Sequence, residues 1–204
     1  MVIVGAGGHG KEVLFLLING GYDPLSICFF DEDTSIDIVR LKERSFPVYS
    51  SMESIKSQLG SNPSFCLGVG NPILRRKFFD LFVGLGVKLD WLNFSGVASR
   101  EEVHGDLMPL TFVGPEVNLG KGVLINTGAQ VHHESQVGEF SEIGPKAILL
   151  GGAKIGSFCR LGAGAIILPG VALGDGVIVG AGAVVTKNCG AGLVLKGVPA
   201  KTND

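Results

Sequence analysis

Aromatic residues make up only 7% of this 204-residue chain, with a single Trp, and charged residues 18%. Lys and Arg number 17 against 19 Asp and Glu, a net charge of −2, so the broad basic field that nucleic-acid binding requires is missing. The four cysteines, Cys28, Cys66, Cys159 and Cys189, form no C-x-x-C pair and no metal-ligand spacing. Neither a disulfide framework nor a metal site is therefore expected, which fits a reducing cytoplasm. No apolar run is long enough to cross a bilayer, and no basic stretch leads into an apolar one at the start. Membrane insertion and a secretory leader are both unexpected. What the chain has in excess is glycine, 32 residues, most of it placed at fixed spacing rather than clustered as in a disordered segment.

That spacing belongs to a repeat. From Leu107 through Val113, Leu119, Ile125, Val131 and Val137 to Val185, every sixth residue is aliphatic, fourteen positions in one register. Four places after each sits a compact residue, from Thr111, Val117, Val123 and Ala129 to Ala183 and Cys189. Glycine often follows the aliphatic directly, as at Gly114, Gly120, Gly138, Gly144, Gly156, Gly162, Gly174 and Gly180. A fixed short period means a solenoid. Six residues suffice for one short strand and one tight corner, with the aliphatic inward, the compact residue at the inner corner and glycine relieving the backbone there. Three such units close a triangular coil of eighteen residues, and parallel strands then stack coil on coil. Cys159 and Cys189 fall on the compact inward position and are expected in the core.

Residues 1–92 alternate strand and helix, which implies a small parallel sheet. Strands are expected at Met1–Val4, Ser26–Phe30, Ser64–Val69 and Val87–Leu92, with a short one at Pro47–Tyr49. Helices are expected at Lys11–Asn19, ending at Gly20-Gly21, at Met52–Leu59 behind a Ser51 cap, and at Pro72–Phe82. Residues 93–106 form a weakly periodic junction. The chain thus divides into residues 1–92 and 93–204. A proline in the Gly197-Val198-Pro199-Ala200-Lys201 tail is suited to closing the open solenoid edge.

Gly5, Gly7 and Gly10 satisfy G-x-G-x-x-G between the first strand and first helix, and Asp31 ends the second strand where a ribose-binding acid would sit. Such a loop lets phosphate approach the backbone at a helix N-terminus. A tight turn without ligand satisfies the same pattern. Fewer than a hundred residues precede the repeat, room for one mononucleotide half, which suits a nucleotide-sugar better than a dinucleotide. His9 adds a donor at the loop tip.

In the repeat, Val131-His132-His133-Glu134-Ser135 places Val131 and Ser135 inward. His132 should leave from the flat face, and His133 and Glu134 from the corner. Histidine titrates near neutrality, and a carboxylate can orient it and raise its basicity. Gly151 follows His133 by eighteen residues, so the two should stack in one corner column, and the Gly151 N–H is a candidate oxyanion donor.

The Gly5–Gly10 loop, Ile125-Asn126-Thr127-Gly128-Ala129, the His133-Glu134 pair, the hexads and the Gly-Val-Pro-Ala-Lys tail occur in that order. Together they resemble the sialic acid O-acetyltransferase family of bacterial sugar O- and N-acetyltransferases, which includes enzymes acting on UDP-linked 4-amino sugars. The resemblance covers essentially the whole chain. It implies a Rossmann-like α/β half domain followed by a left-handed parallel β-helix, a hand that departs from the usual right-handed crossover. It also implies a homotrimer, with acetyl-CoA as co-substrate in the cleft between neighbouring helices and no metal. By the same match His133 is the base with Glu134 beside it. Gly7, Gly8, His9, Asp31, Glu32 and Gly70 fall on nucleotide-sugar positions, and Ala163 and Ala181 on coenzyme positions. Members often carry a second histidine nine residues after the base, contacting acetyl-CoA; here that position is Glu142. A carboxylate donates no hydrogen bond unless protonated, so the coenzyme contact and the rate are expected to depart from the family's. The implied reaction is acetyl transfer to a nucleotide-linked sugar, onto an amine rather than a hydroxyl. O-acetylation of sialic acid or another sugar is the alternative within the class. A non-catalytic nucleotide-sugar-binding scaffold is the alternative outside it.

Overall fold

The computed structural model describes residues 1–59, 62–95 and 104–202. The chain forms two compact units, Met1–Gly70 with Leu74–Asp90, and Asn71–Ile73 with Trp91–Asp204. Most of the expected junction, residues 96–103, lies outside the described residues.

The first unit is built on a six-stranded sheet. Its strands are β1 (Val2–Val4), β2 (Cys28–Phe30), β3 (Ile38–Leu41), β4 (Arg44–Tyr49), β5 (Ser64–Leu67) and β6 (Lys88–Leu89), in the order β3-β4-β2-β1-β5-β6. All neighbours are parallel except β3 and β4, an antiparallel hairpin at one edge. Strand β1, and β5 after Ser64, read as continuous buried apolar runs, as a sheet covered on both faces requires. Helix α1 (Gly8–Asn19) turns Val13, Leu14 and Leu17 inward, the face expected of a 3.6-residue period. Helix α2 (Met52–Lys56) is held by a reciprocal cap between Ser51 and Ser54. Helix α3 (Pro72–Gly84) delivers Phe82, whose ring meets Phe30 at 5.3 Å and Phe65 at 5.1 Å.

Several expectations change here: α2 ends at Lys56 rather than Leu59, and the second strand begins at Cys28 rather than Ser26. Helix α1 begins at Gly8, three residues before Lys11, because the loop glycines themselves take helical geometry. The short strand at Pro47–Tyr49 is the end of β4, which runs from Arg44 and pairs with a β3 that the sequence reading missed. The strand expected at Val87–Leu92 shrinks to Lys88–Leu89.

The second unit is the solenoid. Fourteen two-residue strands run from Asp106–Leu107 to Val184–Val185 at six-residue spacing, the first eleven each paired in parallel with the strand eighteen residues on. They fall into three sheets, the sides of a triangular coil. Inward aliphatics and compact residues form one core, with Val131, Leu149 and Ile167 stacked in one column and Ala129, Ala147 and Ala165 in another. Cys159 is buried there; Cys189 packs against the same core but is only half-buried.

The corners correct the expected role of glycine. The glycines after the aliphatics do not have left-handed φ. They are small because the next coil lies against them: a Cβ on Gly138 would sit 2.4 Å from Ser157 N, and one on Gly144 2.2 Å from Leu161 O. The left-handed residue is two places further on. At every sixth position from Leu110 to Gly182, φ lies between +55° and +75°, and Leu110, Glu116, Glu134, Phe140, Lys146 and Phe158 adopt it as well as glycines. That conformation costs a non-glycine roughly 1–2 kcal/mol. From Gly122 onward each such corner is held in part by its own N–H, which donates to the preceding coil, as from Glu134 to Pro115 O at 3.1 Å and from Phe140 to Lys121 O at 2.8 Å.

The ends are closed by different devices. Asn93 bridges Leu107 below the first coil. At the other end the step from Ile178 to its partner Val194 is sixteen residues instead of eighteen, and Lys201–Thr202 then folds back antiparallel on Val194–Lys196. The edge is therefore covered by a reversed strand, with the proline in the turn before it.

Candidate active site

In the first unit the glycine loop is held from three sides. Gly5 has φ +110°, and a Cβ there would sit 2.4 Å from Val69 Cγ1 and 2.8 Å from Gly68 O. A Cβ on Gly10 would fall 2.0 Å from Gly5 O. These two glycines are required by packing. Gly7 and Gly8 are different: exposed, at the start of α1, with open space where a Cβ would be. A ligand can approach the backbone there, where helix N–H groups are unsatisfied.

Asp31 closes the loop from below. Its Oδ2 accepts Ala6 N–H at 2.7 Å and its Oδ1 accepts Asp33 N–H at 3.0 Å. Both oxygens thus hold backbone, a structural duty that the expected ribose contact would share. Glu32 pairs with Lys77, and His9 Nδ1 lies 3.4 Å from Glu12 Oε2. Because β2, β1 and β5 are parallel neighbours, their carboxyl ends bring Asp31 and Glu32, Gly7 to His9, and Gly70 to one edge of the sheet. That edge is where open α/β sheets bind ligands.

In the solenoid, His133 and Glu134 occupy a corner, side chains 59% and 63% exposed, with His133 Nδ1 2.9 Å from Glu134 Oε2. An ionised carboxylate only accepts, so Nδ1 carries the proton and Nε2 presents its lone pair. The backbone is fixed as well: His133 O accepts Gly152 N–H at 2.9 Å. The ring lies against Gly151, where a Cβ would stand 2.4 Å from both Cε1 and Nε2. Among the described residues no acceptor meets the Gly151 N–H. Nε2 and a free backbone donor thus share one corner. His132 leaves from the adjoining face, tilted against Phe112 at 5.5 Å and 3.3 Å from Gln130 Oε1.

Glu142 is not open to solvent. It is 6% exposed, its Oε2 accepts Arg160 Nε at 2.8 Å, and its Oε1 lies 3.4 Å from Asn126 Nδ2. Ala163 and Ala181 are exposed and share a corner column with Thr127, one corner away from His133 and Gly151. A single chain therefore does not bring the Ala163–Ala181 column onto the His133 corner. Arg160 was not singled out from the sequence, and Asn126 was named only within the Ile125–Ala129 motif; the eighteen-residue step from Glu142 to Arg160 was the available signal.

Residues 1–82 match the PglD N-terminal domain family, and residues 152–187 match the bacterial transferase hexapeptide family (six repeats). The acetyltransferase domain of PglB from Neisseria gonorrhoeae is 29% identical, with a TM-score of 0.74 over 99% of this chain and 98% of that one. PerB from Caulobacter crescentus, solved with CoA and GDP-perosamine, is 28% identical, with a TM-score of 0.76 over 100% of this chain and 96% of that one. Across nearly its whole length the chain is similar to bacterial sugar acetyltransferases that carry hexapeptide repeats. Its fold is accordingly the α/β half domain followed by the left-handed parallel β-helix. An uncharacterized protein of Acanthamoeba polyphaga mimivirus is 26% identical over 139 residues, 68% of this chain but only 24% of that protein's length. Within this sugar-acetyltransferase architecture, no helix among the described residues is long and apolar enough to cross a membrane.

Proposed function

We propose that the chain transfers the acetyl group of acetyl-CoA directly to the amine of a nucleotide-linked amino sugar, with His133 as general base. The carrying observation is the His133 corner, where Glu134 fixes the ring by Nδ1 and leaves Nε2 exposed beside the Gly151 N–H. The amine lone pair attacks the thioester carbonyl carbon while Nε2 takes the N–H proton. The carbonyl oxygen gains charge as the tetrahedral centre forms, and the Gly151 N–H would donate to it. Collapse breaks the C–S bond, and the proton on Nε2 passes to the leaving thiolate. Glu134 stabilises the imidazolium in between.

The choice of amine is supported by a Caulobacter crescentus relative, a GDP-perosamine N-acetyl transferase. Gly7, Gly8 and His9, with Asp31, Glu32 and Gly70 on the same sheet edge, would hold the nucleotide-sugar. The Ala163–Ala181 column would take coenzyme in the cleft to a neighbouring chain of a homotrimer. The sheet face bearing Phe112, Ile148, Ile166 and Val184 is mostly apolar, interrupted by Gln130, and partly exposed, as a contact between copies requires. The reaction is assigned to the cytoplasm, where acetyl-CoA is supplied and four free thiols are stable. A free-thiol assay with acetyl-CoA and UDP- and GDP-linked amino sugars tests the reading. Turnover with an amino sugar and none with its hydroxyl counterpart is expected. No thiol release with any acceptor would leave a binding scaffold, and light scattering showing a monomer at micromolar concentration would refute the trimer.

A further inference from the structure

The Glu142–Arg160 pair has a shape that the reaction above does not use. The two residues are direct partners on neighbouring rungs of one sheet, both on its outward face. Glu142 is 6% exposed, and an ionised carboxylate that buried is tolerated only when paired. Arg160 supplies the pairing with Nε alone, at 2.8 Å, and no hydrogen-bond acceptor meets either Nη among the described residues. Its side chain is 53% exposed. The guanidinium is thus fixed by its inner edge, with the outer N–H edge open. The rungs beyond Arg160 carry Ile178 and Val194, 45% and 38% exposed, so no acid competes for that edge along the ladder.

A planar fork held in this way is a receptor for a two-oxygen anion. We propose that Arg160 anchors a phosphate of one of the two phosphorylated substrates, with Glu142 as its positioning residue. The proposal rests on the acetyl-transfer reading, whose substrates both carry diphosphate. Coenzyme A adds a ribose phosphate. Arg160 lies three residues before Ala163, on the turn of coil that leads into the Ala163–Ala181 corner.

Calorimetry on the full chain, with CoA and separately with UDP and GDP, tests this on wild type, Arg160→Gln, Arg160→Lys and Glu142→Gln. Arg160→Gln is expected to weaken one ligand class by about 10- to 100-fold, the range of a lost charge-assisted hydrogen bond, and to leave the other unchanged. The class that weakens identifies the source of the phosphate. Arg160→Lys keeps the charge without the fork and should recover only part of the affinity. Glu142→Gln should weaken the same ligand by less. If CoA is the ligand, the KM for acetyl-CoA rises while turnover with acetyl-pantetheine, which lacks the phosphates, does not change. Wild-type affinity for every ligand in Arg160→Gln overturns the proposal and leaves the acetyl-transfer reading standing. So does loss of assembly by light scattering with affinities unchanged. A wild type that binds neither CoA nor nucleotide overturns both. Should Arg160→Gln fail to fold by circular dichroism, Arg160→Lys carries the same comparison.

Discussion

Gly151→Ala isolates the geometry of the His133 corner. The added methyl would stand 2.4 Å from Cε1 and Nε2 of the imidazole. Carbon contacts settle near 3.5–4.0 Å, so the ring must withdraw by about 1 Å or swing off Glu134. A misplacement of that size costs about 10²-fold in rate, close to 2.7 kcal/mol of barrier. The backbone itself accepts alanine, because Gly151 lies outside the left-handed region that Gly152 occupies at φ +70°. Loss of unfolded-chain freedom should even raise stability slightly, by about 0.4–1 kcal/mol. The expected outcome is a fold with unchanged circular dichroism, an equal or higher Tm, and kcat down about 10²-fold at nearly constant KM. Gly151→Ala keeps the N–H, so a purely oxyanion role predicts little change. In a His133→Ala background the methyl meets nothing, and Gly151→Ala should then cost nothing further. Wild-type kcat in the single variant would refute the steric account. A full additional loss in the double variant would refute it equally.

His133→Ala should lower kcat by about 10²- to 10⁴-fold with little effect on either KM, and Glu134→Gln by less, since shape survives and only charge is lost. In the glycine loop, Gly8→Val should fold and bind CoA but lose nucleotide by calorimetry. Gly10→Ala should instead lower stability by roughly 1–3 kcal/mol in denaturant titration, because its methyl would strike Gly5 O at 2.0 Å. Burial pushes the Cys159 thiol above its usual titration range, so less thiolate forms at any given pH. Iodoacetamide near pH 8 should therefore spare Cys159 until the chain is unfolded, as peptide mass mapping would show.

The solenoid was legible because its signal is a period: inward aliphatics recur every six residues, and one slip would expose them all. The corners were less legible. Left-handed φ is usually betrayed by glycine, but Glu134, Phe140 and Phe158 adopt it here, secured by hydrogen bonds between coils rather than by residue type. The same blindness hid the β3–β4 hairpin, whose turn is Lys42-Glu43 with Lys42 at φ +54°, not the Asn-Gly or Asp-Gly that announces such a turn. In the candidate site, local pairs such as His133 with Glu134 are contiguous and were visible. Gly151 under the imidazole was visible as well, because the eighteen-residue rise of a coil stacks it on His133. Arg160 on Glu142 obeys the same rise, but nothing in the residues along the chain marks that pair.

The uniform winding also makes the length of this protein discrete. Each coil touches only the coils above and below it, so adding or removing eighteen residues is a translation that leaves every later side chain on its original wall. Adding six is a rotation by a third of a turn. The core would accept it, since the aliphatic register is unchanged, yet every residue after the insertion would move to a different wall. Placed between Glu134 and Glu142, such an insertion would leave a stable prism in which His133 no longer lies over Gly151. Evolution or an engineer can therefore lengthen this protein freely only in whole storeys.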